Sequence, residues 1–270
     1  MSDRLTLATW NINSVRLRAP LVEKLIADEA PDVICLQETK CPNDAFPTKA
    51  FRKLGYEHIE VNGQKGYHGV AVLSRRPLTV IDRRDLCDKG DARHLSVSVP
   101  FGGTDLVVHN FYVPAGGDEP DPEVNDKFAH KLAYLDEMRD WLQGAETEGP
   151  AVLLGDLNVA PLEHDVWSHK QLLKVVSHTP PETERLNSII AAGGWIDVMR
   201  RFVPEDEKLF TWWSYRAKDW RKANRGRRLD HVWATPPLEV ALAGMRVLTD
   251  ARDWERPSDH VPVIARFEAP

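Results

Sequence analysis

The sequence predicts an α/β fold: a single domain over residues 1–270, with stacked mixed β-sheets flanked by helices. Three observations carry this. Apolar runs of strand length outnumber the helical patterns, no fixed-period repeat appears, and no linker is long or biased enough to divide the chain. The length of 270 residues allows a substantial core, and 42% hydrophobic with 28% charged residues is ordinary for a soluble globular enzyme.

Residues 5–10 alternate and read as a strand that runs into Asn11-Ile12-Asn13. Pro20 opens a predicted helix to about Ala30, with Leu21, Leu25 and Ile26 on one face. Residues 32–36 form a second apolar strand, ending in Gln37-Glu38-Thr39. Further strands are predicted at 56–61 and 69–73 across a glycine-rich turn, then at 94–99 and 106–113. An acidic loop rich in Pro and Gly follows at 116–123. The clearest helix spans 125–143, with Phe128, Leu132, Leu135 and Leu142 at helical spacing.

The run Ala151-Val-Leu-Leu reads as a buried strand that stops at Gly155. On an extended backbone, side chains two apart share a side, so Asp156 and Asn158 emerge together just past it. A helix is predicted at 182–192, ended by Gly193-Gly194. Residues 209–215 carry Phe210, Trp212, Trp213 and Tyr215, residues 228–234 form a strand containing Asp230, and the last strand spans 260–267, entered through Pro257-Ser258-Asp259-His260.

The N-terminal residues lack the long apolar core of a signal peptide, and no apolar run approaches membrane-spanning length. Cys35, Cys41 and Cys87 are an odd three and form no disulfide framework, and Cys35 reads as core packing. The expectation is a reducing, cytoplasmic compartment, with no membrane partner. Net charge is −6, which at first argues against a polyanionic partner. Between Arg216 and Arg228, however, seven cations face the single acid Asp219, a local charge of +6 that leaves −12 for the rest. Such asymmetry matters more than the total when phosphates are gripped locally.

Several predicted strands share a feature, an apolar run followed by polar or acidic groups: Asn11 and Asn13, Glu38, Tyr112, Asp156 and Asn158, Asp259 and His260, with Asp230 inside another. Any one is explained as well by a cap or a turn. Together they are harder to dismiss, because unpaired buried carboxylates are costly.

The segments Thr9-Trp-Asn-Ile-Asn13, Leu36-Gln-Glu-Thr-Lys40, Gly66-Tyr-His-Gly69, Asn110-Phe-Tyr-Val-Pro114, Gly155-Asp-Leu-Asn158, Leu229-Asp230 and Ser258-Asp-His260 stand in this order over nearly the whole chain. In that order and spacing the sequence resembles the exonuclease III-type abasic-site endonucleases, within the wider endonuclease, exonuclease and phosphatase superfamily. The resemblance implies a four-layer α/β sandwich, two sheets packed face to face, with the site at one rim. It implies a Mg²⁺-dependent (or Mn²⁺-dependent) DNA repair nuclease that hydrolyses the phosphodiester 5′ to abasic sites, trims 3′ ends as an exonuclease and clears blocked ones. The expected partner is double-stranded DNA with abasic sites or blocked 3′ ends, bound by a monomer.

The implied roles agree with side-chain chemistry. Glu38 offers a hard anionic oxygen to the metal ion, with Asn11 assisting. Asp156 orients and deprotonates the attacking water, and Asn158 holds its geometry. His260, oriented by Asp230, donates to a phosphate oxygen, as does Tyr112. Asp259 is either a second metal contact or the group that protonates the leaving oxygen. Arg93 falls where the family grips a phosphate, and a solvated turn arginine is the competing reading. The segment bearing Arg216, Arg221, Lys222 and Arg225, interleaved with aromatics, fits a DNA-facing loop rather than a merely solvated face. Trp212 and Leu229 are expected to wall a small pocket for a baseless sugar, or simply to pack in the core.

Two other readings compete: a phosphatase or phosphodiesterase of the same superfamily acting on lipid or inositol phosphates, and a catalytically dead DNA-binding protein. The basic, Trp-rich segment disfavours the first and the full set of acidic and His site positions the second. One position departs from the family pattern. After Tyr112-Val113-Pro114 the family usually offers Gln or Asn beside the scissile phosphate, and here Ala115 stands instead. A methyl group donates no hydrogen bond. Ala115→Gln is therefore expected to shift the ratio of abasic incision to 3′-end trimming on matched duplexes; an unchanged ratio would show the position is idle.

Overall fold

Two six-stranded mixed sheets packed face to face dominate the computed structural model, which describes residues 3–143 and 148–270. Met1 and Ser2, part of the start considered above for a signal sequence, lie outside the described residues. The strands of the first half are β1 (Arg4–Asn11), β2 (Val33–Gln37), β3 (His58–Asn62), β4 (Val70–Ser74), β5 (Thr79–Asp82), β6 (His94–Phe101) and β7 (Thr104–Tyr112). Those of the second are β8 (Ala151–Asp156), β9 (Ile196–Asp197), β10 (Trp212–Trp213), β11 (Gly226–Arg227), β12 (Asp230–Ala234), β13 (Leu242–Val247) and β14 (Val263–Glu268). One sheet runs β13-β14-β1-β2-β4-β3 and the other β5-β6-β7-β8-β12-β9, while β10 and β11 form a separate ribbon.

Each sheet has a parallel pair, β1 with β2 and β7 with β8, and each pair is joined across a helix, Val15–Glu29 or Asp126–Trp141. The central strands are buried on both faces, which is why they read as continuous apolar runs. Leu5, Leu7, Val33 and Val72 meet Val97, Val108, Val152 and Leu154 between the sheets. On the outer faces, Trp10, Ile34 and Leu36 pack with Val22 and Leu25 of the first helix, and Phe111, Leu153 and Trp233 with Leu135, Met138 and Leu186 of the other side. Four layers result, as the family resemblance implies.

The predicted elements appear close to where the sequence places them, and the structure adds several short ones that it does not. The first helix begins at Val15, before Pro20, and kinks at Arg18 (φ −116°). The buried Arg18 guanidinium donates to the carbonyls of Ile12, Asn13 and Arg256 and to the Tyr215 hydroxyl, tying down a turn that apolar periodicity does not reveal. Strands β5 and β13 were not expected, since both lie at sheet edges and are only partly buried. The helix Pro180–Gly193 starts on a capping box between Thr179 and Glu182, and Gly194 closes it in the left-handed region (φ 63°).

All three cysteines are free, and among the described residues no helix is long and apolar enough to cross a membrane. His109 and His231 are fully buried, and burial pushes each ring down to about 4. The unfolded chain binds protons on these rings below about 6.5, whereas the folded chain refuses them until about 4. Their contribution to stability is therefore complete above that window and is lost as pH falls through it, on the order of 3 kcal/mol per ring. Denaturant unfolding at graded pH should show this decline, and His109→Phe should flatten it; identical profiles for both proteins would contradict the assignment.

Candidate active site

Strand alternation brings the polar groups to one rim. On β1, Leu5 and Leu7 face the opposite sheet, so Thr9 and Asn11 do too. By the same period β2 presents Gln37, β7 presents Asn110 and Tyr112, β8 presents Asp156, and β12 presents Asp230. Each inter-sheet row turns from aliphatic to polar at the same edge. Gly155 makes the last step of β8 possible: its φ is +134°, and a Cβ there would collide with the Phe111 carbonyl oxygen.

A buried amide layer underlies the site. Gln37 Nε2 donates to Thr9 Oγ1 (3.0 Å) and, across the sheets, to Asn110 Oδ1 (2.7 Å). Asn110 Nδ2 donates to the carbonyls of Leu36 (3.1 Å) and Ala71 (3.0 Å). Above it, Asn11 Nδ2 donates to Glu38 Oε1 (2.9 Å) and Asp156 Oδ2 (2.8 Å), joining carboxylates from opposite sheets. Tyr112 Oη donates to Glu38 Oε1 (2.8 Å), and Lys40 Nζ lies 2.8 Å from Oε2.

These contacts set the charges. Burial opposes ionisation of Glu38, but the Lys40 ammonium and the Asn11 bond outweigh it and hold the carboxyl below its ordinary value. Burial, with the charges of Glu38 and Asp156, pushes the Tyr112 phenol well up, so it remains a donor. Asp156 is fully buried, and burial raises its pKa to about 7, with Asp230 and Glu38 adding to the rise and His260 opposing it. Asn158, in the left-handed region (φ 53°), binds both Asp156 oxygens through its backbone N–H (3.0 Å) and Nδ2 (3.2 Å). His260 Nδ1 lies 2.8 Å from Asp230 Oδ2, and Nε2 lies 3.7 Å from Asp156 Oδ2. Burial disfavours its charged form, yet the Asp230 and Asp156 carboxylates prevail and raise it to about 10. Asp259 is held by Asn13 Nδ2 (3.1 Å) and Trp212 Nε1 (2.9 Å).

Beside this cluster lies a cavity of about 590 Å³, walled by Trp212, Leu229, Trp167, Ser177 and Arg227, with Glu38, Asp259 and His260 at its edge. Ala115 lines it too, exposed on the acidic loop. The structure thus gathers Asn11, Glu38, Tyr112, Asp156, Asn158, Asp230, Asp259 and His260 in one cleft with Trp212.

The basic residues divide. Arg216 and Arg225 are exposed and line the cavity. Arg221 points elsewhere, paired with Asp250 and Asp253 and set over Trp220, and the exposed Lys222 follows it on the same short helix. Arg93 is buried beneath Tyr112, its Cζ 5.0 Å from the ring centroid and its Nε 2.9 Å from Asp91 Oδ2. Arg228, counted above within the basic run, is fully buried against Asp165 and Asp197. The sequence assigns no role to Gln37, Trp167 or Ser177, and includes Arg227 only as one cation of the basic segment. Gln37 was findable, since it stands in the quoted segment before Glu38; Trp167 and Ser177 reach the cleft from loops that carry no periodic signal.

The groups fit a divalent cation. Asp156 and Asp230 offer carboxylate oxygens within 4.8 Å of each other, and the buried Oδ1 of Asp230 has no hydrogen-bond partner among the described residues; His260, charged and bonded to Asp230, stands beside them as a donor. Glu38 adds a hard oxygen one Asn11 bond away from Asp156.

Residues 8–260 match the model of the endonuclease/exonuclease/phosphatase family. The chain belongs to that family. It is 31% identical to exodeoxyribonuclease III of Haemophilus influenzae, over 96% of this chain and 98% of that one. Among solved structures it is similar to an AP endonuclease from Archaeoglobus fulgidus (TM-score 0.89, 33% identity, covering 97% of this chain and 99% of that one). It is also similar to the 3′ phosphatase NExo from Neisseria bound to a product DNA hairpin (TM-score 0.84, 32% identity, 97% and 99% covered).

The Asp230–His260 contact yields a prediction. A base whose folded pKa is raised loses its proton as pH rises through that value, so His260 remains a cation up to about 10. In Asp230→Asn the stabilising charge is gone, and the alkaline limb of kcat against pH should move down toward neutrality, with the rate at pH 7.5 falling about tenfold to a hundredfold. An unmoved limb would show that Asp230 does not set the charge of His260.

Proposed function

We propose that this family member is a divalent-metal-dependent DNA repair nuclease that hydrolyses the phosphodiester 5′ to abasic sites, with 3′–5′ exonuclease and 3′-end-cleaning activity, and that Mg²⁺ or Mn²⁺ serves it. The observation that carries this is the convergence in one cleft of three buried carboxylates, Glu38, Asp156 and Asp230, with the charged His260 as a donor beside them. The relatives reported above, named as an exonuclease, an AP endonuclease and a 3′ phosphatase, point to the same substrate class.

Glu38 would hold the cation, with Asp230 or Asp259 as nearby oxygen donors. Such an ion, when bound, neutralises phosphate charge and stabilises the leaving oxygen. The chain's own groups do the rest. Asp156, poised near 7, accepts a proton from the attacking water while the Asn158 amide fixes its orientation. The His260 imidazolium and the Tyr112 hydroxyl donate to the non-bridging phosphate oxygens, where charge grows in the transition state. Asn11 keeps the two carboxylates at fixed separation. Trp212 and Leu229 shape the cavity for a sugar that carries no base, and Arg216 and Arg225 at its mouth suit backbone phosphates.

Purified protein should incise a duplex containing one tetrahydrofuran abasic analogue in the presence of Mg²⁺, and EDTA should abolish the reaction. Asp156→Asn should lower kcat by about 10²–10⁴. Failure to cut that duplex, together with hydrolysis of an inositol polyphosphate, would replace this reading by that of a phosphatase.

A further inference from the structure

Lys131 is a lysine sealed inside the protein. It sits on the helix Asp126–Trp141, and its side chain and that of Glu182, on the helix Pro180–Gly193, are each 0% exposed. Nζ donates to Glu182, to the Asn158 carbonyl (2.7 Å) and to the Ala115 carbonyl (3.3 Å), which uses all three ammonium hydrogens. Glu182 is equally occupied. Its Oε1 and Oε2 both accept from the Ser177 N–H (2.9 Å each), and Oε2 also accepts from the Thr179 N–H (3.1 Å) and hydroxyl (2.6 Å). Burial pushes the ammonium down from its ordinary value, and the carboxylates of Glu182 and Asp156 oppose that. A buried ion pair gains little stability over apolar side chains of the same shape, even when fully bonded. What this pair holds in place is therefore the informative part.

The lysine reaches two strand exits at once. β7 ends at Tyr112 and β8 at Asp156, and Ala115 and Asn158 lie just past those ends. Gly116 leaves room for the lysine stem: its φ is +89°, and a Cβ there would stand 2.8 Å from Lys131 Cδ. Asn158 is a non-glycine residue in the left-handed region (φ 53°), a conformation that needs support from its surroundings. Its side-chain amide donates to the Val113 carbonyl (2.9 Å) and to Asp156 Oδ2, its N–H donates to Asp156 Oδ1, and its carbonyl accepts from Lys131. Lys131 thus grips the backbone acceptor of Asn158 while the donors of that residue serve Asp156. Under the function proposed above, on which this step rests, Asp156 takes a proton from the attacking water. We propose that Lys131, neutralised by Glu182, is a positioning residue for that step: it fixes the turn through which Asn158 aims both Asp156 oxygens. A loosened turn leaves Asp156 in the cleft but misaimed, and misplacing a reacting group by about 1 Å costs about a hundredfold in rate.

The test uses the full chain, with Mg²⁺, on a duplex carrying one tetrahydrofuran site. Lys131→Met combined with Glu182→Gln removes both charges together, so no lone ion is left buried. Urea unfolding establishes that the variant folds before kcat and KM are measured. In the folded variant kcat should fall about tenfold to a hundredfold, with KM within about twofold of wild type, because Arg216 and Arg225 remain at the cavity mouth. The same pair of changes made in Asn158→Ala should cost almost nothing further, since Lys131 acts through that side chain. If the double variant does not fold, Lys131→Arg carries the comparison. It keeps a cation against Glu182, but a planar fork does not set one nitrogen on both carbonyls, so kcat should fall several-fold at unchanged KM. A wild-type kcat in whichever variant folds overturns the proposal, because Lys131 would then serve stability alone. A rise in KM without loss of kcat also overturns it, as does the full kcat loss repeated in Asn158→Ala. Wild-type protein that leaves the duplex uncut is a different failure, in which the nuclease reading falls first and this one with it.

Discussion

One side-chain amide holds the cleft together. Asn11 Nδ2 gives its two hydrogens to Glu38 and Asp156, carboxylates that arrive on different sheets. Without those donors, two buried anions would face each other and one would take a proton. The amide is itself fixed, because Oδ1 accepts the Asn13 N–H and the strand beneath packs into the inter-sheet core. One layer down, Gln37 and Asn110 make the same kind of bridge with neutral partners. The rim is thus stitched twice, and the spacing of the reactive groups follows from how the two sheets pack. A change in that packing would be felt at Asp156 before it reached solvent.

That geometry also separates the charges. Glu38 and Asp156 share a donor, yet Glu38 is held below its ordinary value and Asp156 is raised. The difference lies in burial and in the neighbours: Lys40 stands against Glu38, whereas Asp156 is fully buried with Asp230 and Glu38 near it, which His260 and the Asn11 bond only partly offset. Environments that push like groups apart create a standing anion and a proton acceptor side by side. Asp230 and Asp156 together keep His260 charged, so acceptor and donor coexist within one buried cluster.

How much of this the sequence revealed follows from the physics of each signal. Strands buried on both faces announce themselves as apolar runs, and polar groups ending those runs marked Asn11, Glu38, Asp156 and Asp230. Edge strands β5 and β13 carry no such run, being partly exposed. The start of the first helix is set by Arg18 reaching loop carbonyls far along the chain, a tertiary effect invisible to local pattern. Trp167 and Ser177 belong to irregular segments placed by tertiary hydrogen bonds, from Trp167 N–H to the Gly226 carbonyl and from Ala160 N–H to the Ser177 carbonyl, which no local pattern reveals.

The basic segment shows where counting charges stops being informative. A local excess of cations between Arg216 and Arg228 suggested a uniform phosphate-facing loop, but each cation has its own electrostatic fate. Arg228 neutralises Asp165 and Asp197 in the interior; Arg221 is compensated by Asp250 and Asp253 on the surface. What remains for an anionic partner is the set that lacks carboxylate partners among the described residues and borders the cavity: Arg216, Arg225 and Arg227. Two of these rest on indoles, Arg225 over Trp167 and Arg227 over Trp212, which orients a guanidinium without cancelling its charge. Net charge decides whether a polyanion is attracted at long range; pairing decides which cations can receive it. In this cleft an overall acidic chain keeps a few unpaired arginines beside its carboxylates, and the field a phosphate meets there is set by those few.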